Sequence, residues 1–252
     1  MDKKELLAKI VEKKEYSNLP KKDVELAFSQ FDKKQYLDEE KIKLTRNFLR
    51  RIYVSFSSVK LLNLKDKNAE WVLKKHRSTK ERFEYYPEIY KRILLKEKTI
   101  IDLGAGVNGF SYSYFKNKIK YVATEAVGQL VDLMNFYFKR YKINAKAHHL
   151  SLFELEKTKE LIKNISGSKV IFLFKVIDSL EMLEKNYSKK LLKEITPLVE
   201  RIVLSFATKS LGRRFRFSAR RTWIISFIEE NFTILDDFEL GGERYISFKS
   251  RE

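Results

Sequence analysis

Apolar residues recur at helical spacing in the first part of the chain. The segments ELLAKIVEKK, DVELAFSQF and DEEKIKLTRNFLRRIYVSF each carry this pattern. In the third segment, the residues that fall on one helical face are Ile42, Phe48, Leu49 and Ile52. The pattern predicts a helical N-terminal domain over residues 1–77.

From about residue 98 the pattern changes to short runs rich in β-branched and aromatic residues, separated by helical segments. The runs are TIIDLG, YVATEA, AKAHHLSL, KVIFLFKV, RIVLSFAT, FTILDDFEL and ERYISFKS. Strands that alternate with helices form a parallel sheet with crossover helices. Only Gly241 and Gly242 separate the last two runs, which predicts a tight antiparallel hairpin. We therefore expect an α/β domain over residues 78–252 whose mostly parallel sheet ends in this hairpin.

The charge of the chain indicates the class of its partner. Lys and Arg number 52 against 34 Asp and Glu, which gives a formal net charge of +18 and predicts attraction to a polyanion. The absence of cysteine excludes disulfides and thiolate chemistry, and three histidines argue against a metal centre. No apolar run approaches the roughly 18 residues of a spanning helix, and the start lacks the apolar core of a signal peptide. We expect a cytoplasmic monomer without metal or membrane segment.

A glycine-rich turn follows the first predicted strand. Gly104, Gly106 and Gly109 form a G-x-G-x-x-G, in which glycines let backbone amides approach a ligand closely. Asp102 lies at the entrance of this turn, and Glu125 ends the next strand, where a carboxylate can accept both hydroxyls of a ribose. The turn alone fits NAD, S-adenosylmethionine or no ligand. The antiparallel hairpin favours a methyl donor, because nucleotide-binding dehydrogenases normally keep parallel βα units.

The segment HRSTKERFEYYPEIYKRIL, residues 76–94, stands directly before the first strand. Ser78 and Glu81 have the spacing of a capping box, which predicts a helix start with Arg82 on its opening turn. Two interpretations are open: the segment only caps a helix, or the helix N-terminus and Arg82 face a cofactor carboxylate.

Four segments resemble the 16S rRNA guanine-N7 methyltransferases, the family that protects aminoglycoside producers and resistant bacteria. These segments are HRSTKERFEYYPEIYKRI, DLGAGVNGF, FLFKVIDSLEML and SFATKSLGRR, and they span about residues 76–216. The resemblance is that of a distant relative and does not imply drug resistance. It implies a class I Rossmann-like methyltransferase domain that binds S-adenosylmethionine, and a helical N-terminal domain that docks on rRNA within the small ribosomal subunit.

The resemblance also implies roles for individual residues. Arg82 would hold the methionine carboxylate, Glu125 the ribose, and Lys175 would face the target base. The chain has Glu125 where Asp is usual, and Ser151 where an acidic residue commonly contacts the adenine amino group. The complete set of implied cofactor-binding residues is Arg82, Asp102, Gly104, Ala105, Gly106, Glu125, Ser151 and Leu152.

Lys175 follows the apolar run IFLF, so its ammonium must emerge at the end of the strand or be paired. Asp178 is the partner closest in sequence. The same segment lacks the D-P-P-Y or N-P-P-Y tetrapeptide by which many methyltransferases hold an exocyclic amine, which favours a ring nitrogen such as guanine N7. Cytosine N4 stays open as a target, and so does a non-catalytic RNA-binding or ribosome-assembly protein with this fold.

Two basic groups are candidates for RNA contact. The run KSLGRRFRFSARR, residues 209–221, has six basic residues and no acidic one, with aromatic rings between them that can stack on bases. The N-terminal helices carry a second group, and for both groups the alternative is an ordinary solvated surface. The residues predicted to contact RNA are Lys41, Lys43, Arg46, Arg50, Arg51, Lys209, Arg213, Arg214 and Arg216.

Overall fold

The computed structural model describes residues 1–54, 59–62, 67–115, 118–208 and 221–251. The N-terminal region folds into α1 (Lys3–Val11), α2 (Lys21–Ser29) and α3 (Asp38–Leu49), and a π-helical turn, Arg50–Val54, continues α3. Phe48, Leu49 and Ile52 are buried, which confirms the predicted apolar face. Within the described residues, no helix has both the length and the apolarity needed to cross a bilayer.

Three short helices connect this region to the sheet: α4 (Ala69–Lys75), α5 (Arg77–Arg82) and α6 (Tyr86–Ile93). The predicted domain boundary at residues 77 and 78 falls in the first turn of α5. One cluster of buried apolar side chains includes Phe28 and Leu49 from the N-terminal helices as well as Ile101 and Phe172 from the sheet. The N-terminal helices therefore pack against the sheet region, and the division into two domains stays a prediction.

The predicted capping box at the start of α5 is wrong. The helix begins at Arg77, one residue before Ser78, and among the described residues no side chain caps its start. Ser78 lies inside the helix, where its hydroxyl accepts a hydrogen bond from Arg82. Glu81 turns instead toward Lys175. Both side chains therefore take part in contacts near the sheet edge and not in capping.

The seven strands form one sheet in the order β3-β2-β1-β4-β5-β7-β6. The first five strands are parallel, and β7 runs antiparallel to both β5 and β6. Gly241 and Gly242 form the turn of the final hairpin with φ of +62° and +78°, which confirms the predicted mostly parallel α/β sheet with its terminal hairpin. The strands are β1 (Thr99–Leu103), β2 (Lys120–Glu125), β3 (Ala145–His149), β4 (Lys169–Phe174), β5 (Arg201–Ala207), β6 (Phe232–Leu240) and β7 (Glu243–Ser250).

Burial along the strands follows their place in the sheet. All residues of β1, including the polar Thr99 and Asp102, are buried, as expected of an inner parallel strand covered on both faces. Along the chain, helices connect the successive strands and cover the sheet: α7 (Gly128–Arg140), α8 (Leu155–Lys163), α9 (Ile177–Leu183), α10 (Tyr187–Ile195) and α11 (Thr222–Asn231). The chain leaves β1 toward β2 on one side and reaches β4 on the other. This reversal creates the crevice in which α/β proteins bind ligands.

Candidate functional site

A cleft opens at the carboxyl ends of the inner strands and encloses about 810 Å³ of empty space, counting its mouth. It brings together six of the nine residues predicted to contact the cofactor or the target base. Those that line it are Gly104, Ala105, Gly106, Glu125, Leu152 and Lys175. Three further predicted residues are buried and are not among the described residues that line the cleft: Arg82, Asp102 and Ser151.

The glycine turn needs glycine for two reasons. Gly104 and Gly106 have φ of +72° and +58°, a left-handed conformation that residues with a side chain rarely adopt. A Cβ on Gly104 would also lie 2.7 Å from Cγ2 of Val176, and one on Gly106 would lie 2.8 Å from Cε1 of His76. The turn therefore keeps backbone amides at the floor of the cleft, where a ligand can approach them closely.

Glu125 fixes the shape of this turn. Its Oε2 accepts a hydrogen bond from the Gly106 amide at 2.8 Å, and its Oε1 accepts one from the Val127 amide at 2.9 Å. Burial raises the pKa of Glu125, although the hydrogen bonds from backbone amides oppose the rise. A carboxylate has about four acceptor positions. Glu125 can therefore shape the turn and still accept the hydroxyls of a ribose.

A buried polar network supports the turn from below. Arg82 donates to Oδ1 of Asn108 at 3.0 Å, and Nδ2 of Asn108 donates to Oδ2 of Asp102 at 2.7 Å. Tyr121 also donates to Asp102, at 2.6 Å. Burial raises the pKa of Asp102, and the two donated hydrogen bonds oppose the rise. Asp102 therefore lies where it stabilises the start of the turn.

The guanidinium of Arg82 bonds to side chains of the protein itself. Its Nε lies 3.1 Å from Oε2 of Glu243, and its other two nitrogens donate to Asn108 and Ser78. Burial alone would lower the pKa of Arg82, but the Glu243 carboxylate raises it. All three nitrogens thus have a partner within the protein. Contact between Arg82 and a cofactor carboxylate stays a prediction.

Lys175 stands in an uncommon backbone conformation at the end of β4. Its φ is +59°, a left-handed value that costs a residue with a side chain roughly 1–3 kcal/mol. Its Nζ lies 2.6 Å from Oε2 of Glu81 and 2.9 Å from Oε2 of Glu243, and the side chain is 9% exposed. The ammonium is therefore paired and still lines the cleft. The alternative partner, Asp178, pairs instead with Arg221, at 2.8 Å.

The lining residues that sequence reasoning missed include Asp23, Tyr53 and His76. Asp23 contacts Ser151 across 128 positions of the chain, a separation that no local pattern reveals. His76 packs against the glycine turn, and its only signal was its place at the start of the HRSTKER segment. Burial, and then the charges of Arg82 and Lys175, lower the pKa of His76 to about 3. His76 is therefore neutral near pH 7.

Part of the predicted RNA surface has structural partners. Lys41 pairs with Asp32 at 2.8 Å, and Nε of Arg46 donates to the carbonyl of Ile10 at 3.1 Å. Lys43, Arg50 and Arg51 are exposed. Contact with RNA stays a prediction for this whole group. The predicted RNA residues Lys209, Arg213, Arg214 and Arg216 lie outside the described residues.

The chain is similar to three solved structures over nearly its full length. No protein-family model and no curated protein sequence matches it. The 16S rRNA methyltransferase RmtF, in complex with S-adenosyl-L-homocysteine, superposes with a TM-score of 0.81 and 17% identity over 100% of both chains. The 16S rRNA methylase RmtB gives 0.80 and 17% over 100% of this chain and 99% of that one. An rRNA methylase from Escherichia coli gives 0.79 and 18% over 98% and 99%. This chain therefore has the Rossmann-like fold of these rRNA methyltransferases from end to end.

Proposed function

We propose that this chain is an S-adenosylmethionine-dependent methyltransferase that modifies a base nitrogen of 16S rRNA, with N7 of guanine as the acceptor atom. One observation carries the proposal. The glycine turn and Glu125 form the floor of a cleft at the crevice of a fold that the chain shares with 16S rRNA methyltransferases, and this floor suits a nucleoside.

The residues of the cleft suit S-adenosylmethionine. The cleft opens at the carboxyl ends of parallel strands, where α/β proteins bind nucleotides. Glu125 offers acceptors for ribose hydroxyls, and the glycine turn leaves room that a Cβ would fill. Leu152 and Phe153 add apolar surface on the side of β3, which suits a purine ring. When bound, S-adenosylmethionine supplies an electrophilic methyl group on a sulfonium.

Lys175 is suited to orient a guanine. An ammonium has three donors, and two of those on Lys175 point to Glu81 and Glu243, so one is available for a base. Guanine carries two acceptors, O6 and N7, on one edge. A donor to O6 fixes this edge, and N7 reacts through a lone pair, so alignment matters more than a general base. The target base must leave its stack to enter the cleft.

The RNA partner follows from charge and from the position of the exposed arginines. The net charge of +18 favours binding to a polyanion. Arg50 and Arg51 are exposed and directly precede Ile52 and Tyr53, which line the cleft. Phosphate contacts there would hold a folded RNA at the mouth of the cleft. We assign this RNA to the small ribosomal subunit and the protein to the cytoplasm.

The test is methyl transfer from labelled S-adenosylmethionine to small subunits, or to free 16S rRNA, from a strain that lacks this gene. Nucleoside mass spectrometry should detect 7-methylguanosine, and the Glu125→Ala variant should transfer far less label. N4-methylcytidine would keep the enzyme class and replace the acceptor atom. No label on either RNA and no binding of S-adenosylhomocysteine would overturn the proposal in favour of a non-catalytic RNA-binding protein.

A further inference from the structure

A buried carboxylate from the N-terminal region closes one end of the cleft. Asp23 of α2 is 1% exposed and lines the same cleft as Leu152 and Phe153. Its Oδ1 accepts a hydrogen bond from the Ser151 hydroxyl, and its Oδ2 accepts one from the Tyr53 hydroxyl at 2.6 Å. Burying a carboxylate costs free energy that such bonds must offset. A carboxylate kept in the wall of a ligand cleft at this cost indicates a role in binding.

The order of the strands tells which part of a ligand lies near Asp23. The carboxyl ends of β3, β2, β1 and β4 stand in a row, with neighbouring strands about 4.8 Å apart. Glu125 ends β2 and offers acceptors to a ribose, and Lys175 follows β4 on one side. Ser151, which holds Asp23, follows β3 on the other side. A nucleoside with its ribose at Glu125 therefore has its base beside Asp23 when its other substituent extends toward Lys175.

We infer that Asp23 recognises the exocyclic amino group of the cofactor's adenine, an inference that rests on the proposed function. Ser151 and Tyr53 each use one acceptor position of the carboxylate, and about two positions are left. An amino group can donate to them. The keto oxygen of hypoxanthine, at the same position of the ring, would be repelled. Asp23 thereby selects adenine, and Ser151 and Tyr53 hold the carboxylate in place.

This role makes the N-terminal helices part of the cofactor site. Contacts on both sides of Asp23 anchor its segment to the sheet region. The Gly128 amide donates to the carbonyl of Asn18 at 3.1 Å, and Nε2 of Gln30 donates to the carbonyl of Met182 at 2.9 Å. Cofactor specificity is therefore divided between the N-terminal region and the sheet region.

The test compares two ligands by titration calorimetry on the full chain. S-adenosylhomocysteine carries adenine, and S-inosylhomocysteine carries hypoxanthine in its place. The wild type should bind the adenine ligand about 10- to 100-fold more tightly, the usual strength of a hydrogen bond to a charged group. Asp23→Asn should reduce this preference, because an amide can also donate to the keto oxygen. Asp132→Asn, at an exposed position of α7, is the control and should keep it.

The wild-type comparison tests the inference even if Asp23→Asn does not fold. Equal affinity of the wild type for both ligands would overturn the role of Asp23 and leave the methyltransferase proposal standing. An unchanged preference in a folded Asp23→Asn protein would do the same. Failure of the wild type to bind S-adenosylhomocysteine at all would overturn the proposed function itself. Tyr53→Phe, which removes one donor to Asp23, should weaken adenine binding less than Asp23→Asn.

Discussion

Lys175 at the end of β4 pairs with Glu243 at the start of β7, with 2.9 Å between Nζ and Oε2. The direction of the strands explains this pair. Because β7 is antiparallel to β5, it begins at the edge of the sheet where the parallel strands end. The terminal hairpin therefore delivers a carboxylate to the cleft edge, which a further parallel strand starting at the opposite edge would not do.

Glu243→Gln should destabilise the protein. Burial alone would raise the pKa of Glu243, but the charges of Arg82 and Lys175 hold it below its usual value, so the carboxylate is ionised. Without this charge two buried cations lose their shared partner. Removing one member of a buried pair costs about 3–5 kcal/mol, and we expect a loss near the lower end because the amide keeps some hydrogen bonds. Urea unfolding at pH 7 measures the change.

Asp237→Asn is the control for this charge removal. Asp237 pairs with Arg244 on the same hairpin, at 2.8 Å, and both side chains are about a third exposed. An exposed ion pair contributes about 0–1 kcal/mol. A similar loss of stability in the two variants would contradict the structural role of the Glu243 pair.

Much of the fold could be predicted from the sequence because its signals are local. The apolar runs predicted the strands, and two adjacent glycines, Gly241 and Gly242, predicted the hairpin. The helix start at Ser78 was predicted wrongly, since the same residue types also serve in contacts with distant parts of the chain. Ser78 bonds to Arg82, and Glu81 bonds to Lys175.

The cleft was predictable only where its residues lie on one motif. The glycine turn and Glu125 are recognised by their spacing after two strands. Asp23 and Glu243 reach the site through tertiary packing, from an N-terminal helix and from the last strand. Their partners, Ser151 and Arg82, lie far from them in sequence. A local sequence pattern therefore cannot show that such residues lie together.

The stability of the protein should fall below pH 6.5 because of His76. Its pKa is about 3 in the folded protein and 6.5 in an unfolded chain. Between these values only the unfolded state binds the proton, so stability is full above pH 6.5 and falls as the pH decreases. One proton corresponds to about 1.4 kcal/mol per pH unit. The difference in unfolding free energy between wild type and His76→Gln should therefore change by about 2 kcal/mol from pH 6.5 to 4.5, since the unfolded histidine is already half protonated at pH 6.5.

Urea unfolding of both proteins across this pH range measures the difference. Other titrating groups cancel in the comparison, since they are present in both proteins. His149→Gln, at an exposed histidine, serves as the control. Parallel pH profiles for wild type and His76→Gln would show that His76 takes up a proton equally in both states.

Gly104→Ala should weaken cofactor binding more than an alanine at another left-handed glycine. Gly104 and Gly167 have φ of +72° and +82°, so alanine costs about 1–2 kcal/mol of backbone strain at either position. Only at Gly104 would the Cβ also meet Val176, at 2.7 Å, whereas at Gly167 the nearest atom is Cδ of Lys98 at 3.9 Å. Calorimetry with S-adenosylhomocysteine should show about tenfold weaker binding, or roughly 1.4 kcal/mol, for Gly104→Ala. The Gly167→Ala variant should bind as tightly as the wild type. Equal affinities of the Gly104→Ala and Gly167→Ala variants for S-adenosylhomocysteine would show that the glycine turn does not contact the cofactor.

Arg213→Ala combined with Arg214→Ala should weaken RNA binding and reduce its dependence on salt. Each phosphate contact to single-stranded RNA contributes about 0.7 to the slope of log affinity against log salt, so the double variant should lose about 1.4. Filter binding of 16S rRNA across a salt series measures the slope. Lys33→Ala with Lys34→Ala, an exposed basic pair in the N-terminal region, is the control. An unchanged slope in the arginine variant would remove these residues from the RNA surface.

Lys175→Met should lower methyl transfer without weakening cofactor binding. The variant loses the donor that we assign to the target base, and a base held about 1 Å out of place reacts roughly 100-fold more slowly. Stability should change little, because Glu243 keeps Arg82 as its partner and Glu81 is partly exposed. Single-turnover transfer to small subunits measures the rate, and calorimetry measures the affinity for S-adenosylhomocysteine.

Lys169→Met, at the opposite end of β4, is the matched control for this substitution. Its Nζ donates to the carbonyl of Ile162, in α8, and the Lys169→Met variant should transfer methyl groups at the wild-type rate. A slow Lys175→Met with unchanged cofactor affinity would support a contact between Lys175 and the base. If affinity and rate fell together, Lys175 would belong to the cofactor site, and another group would have to orient the guanine. Lys175→Arg separates charge from shape, since a planar guanidinium keeps the charge but not the position of a single ammonium donor.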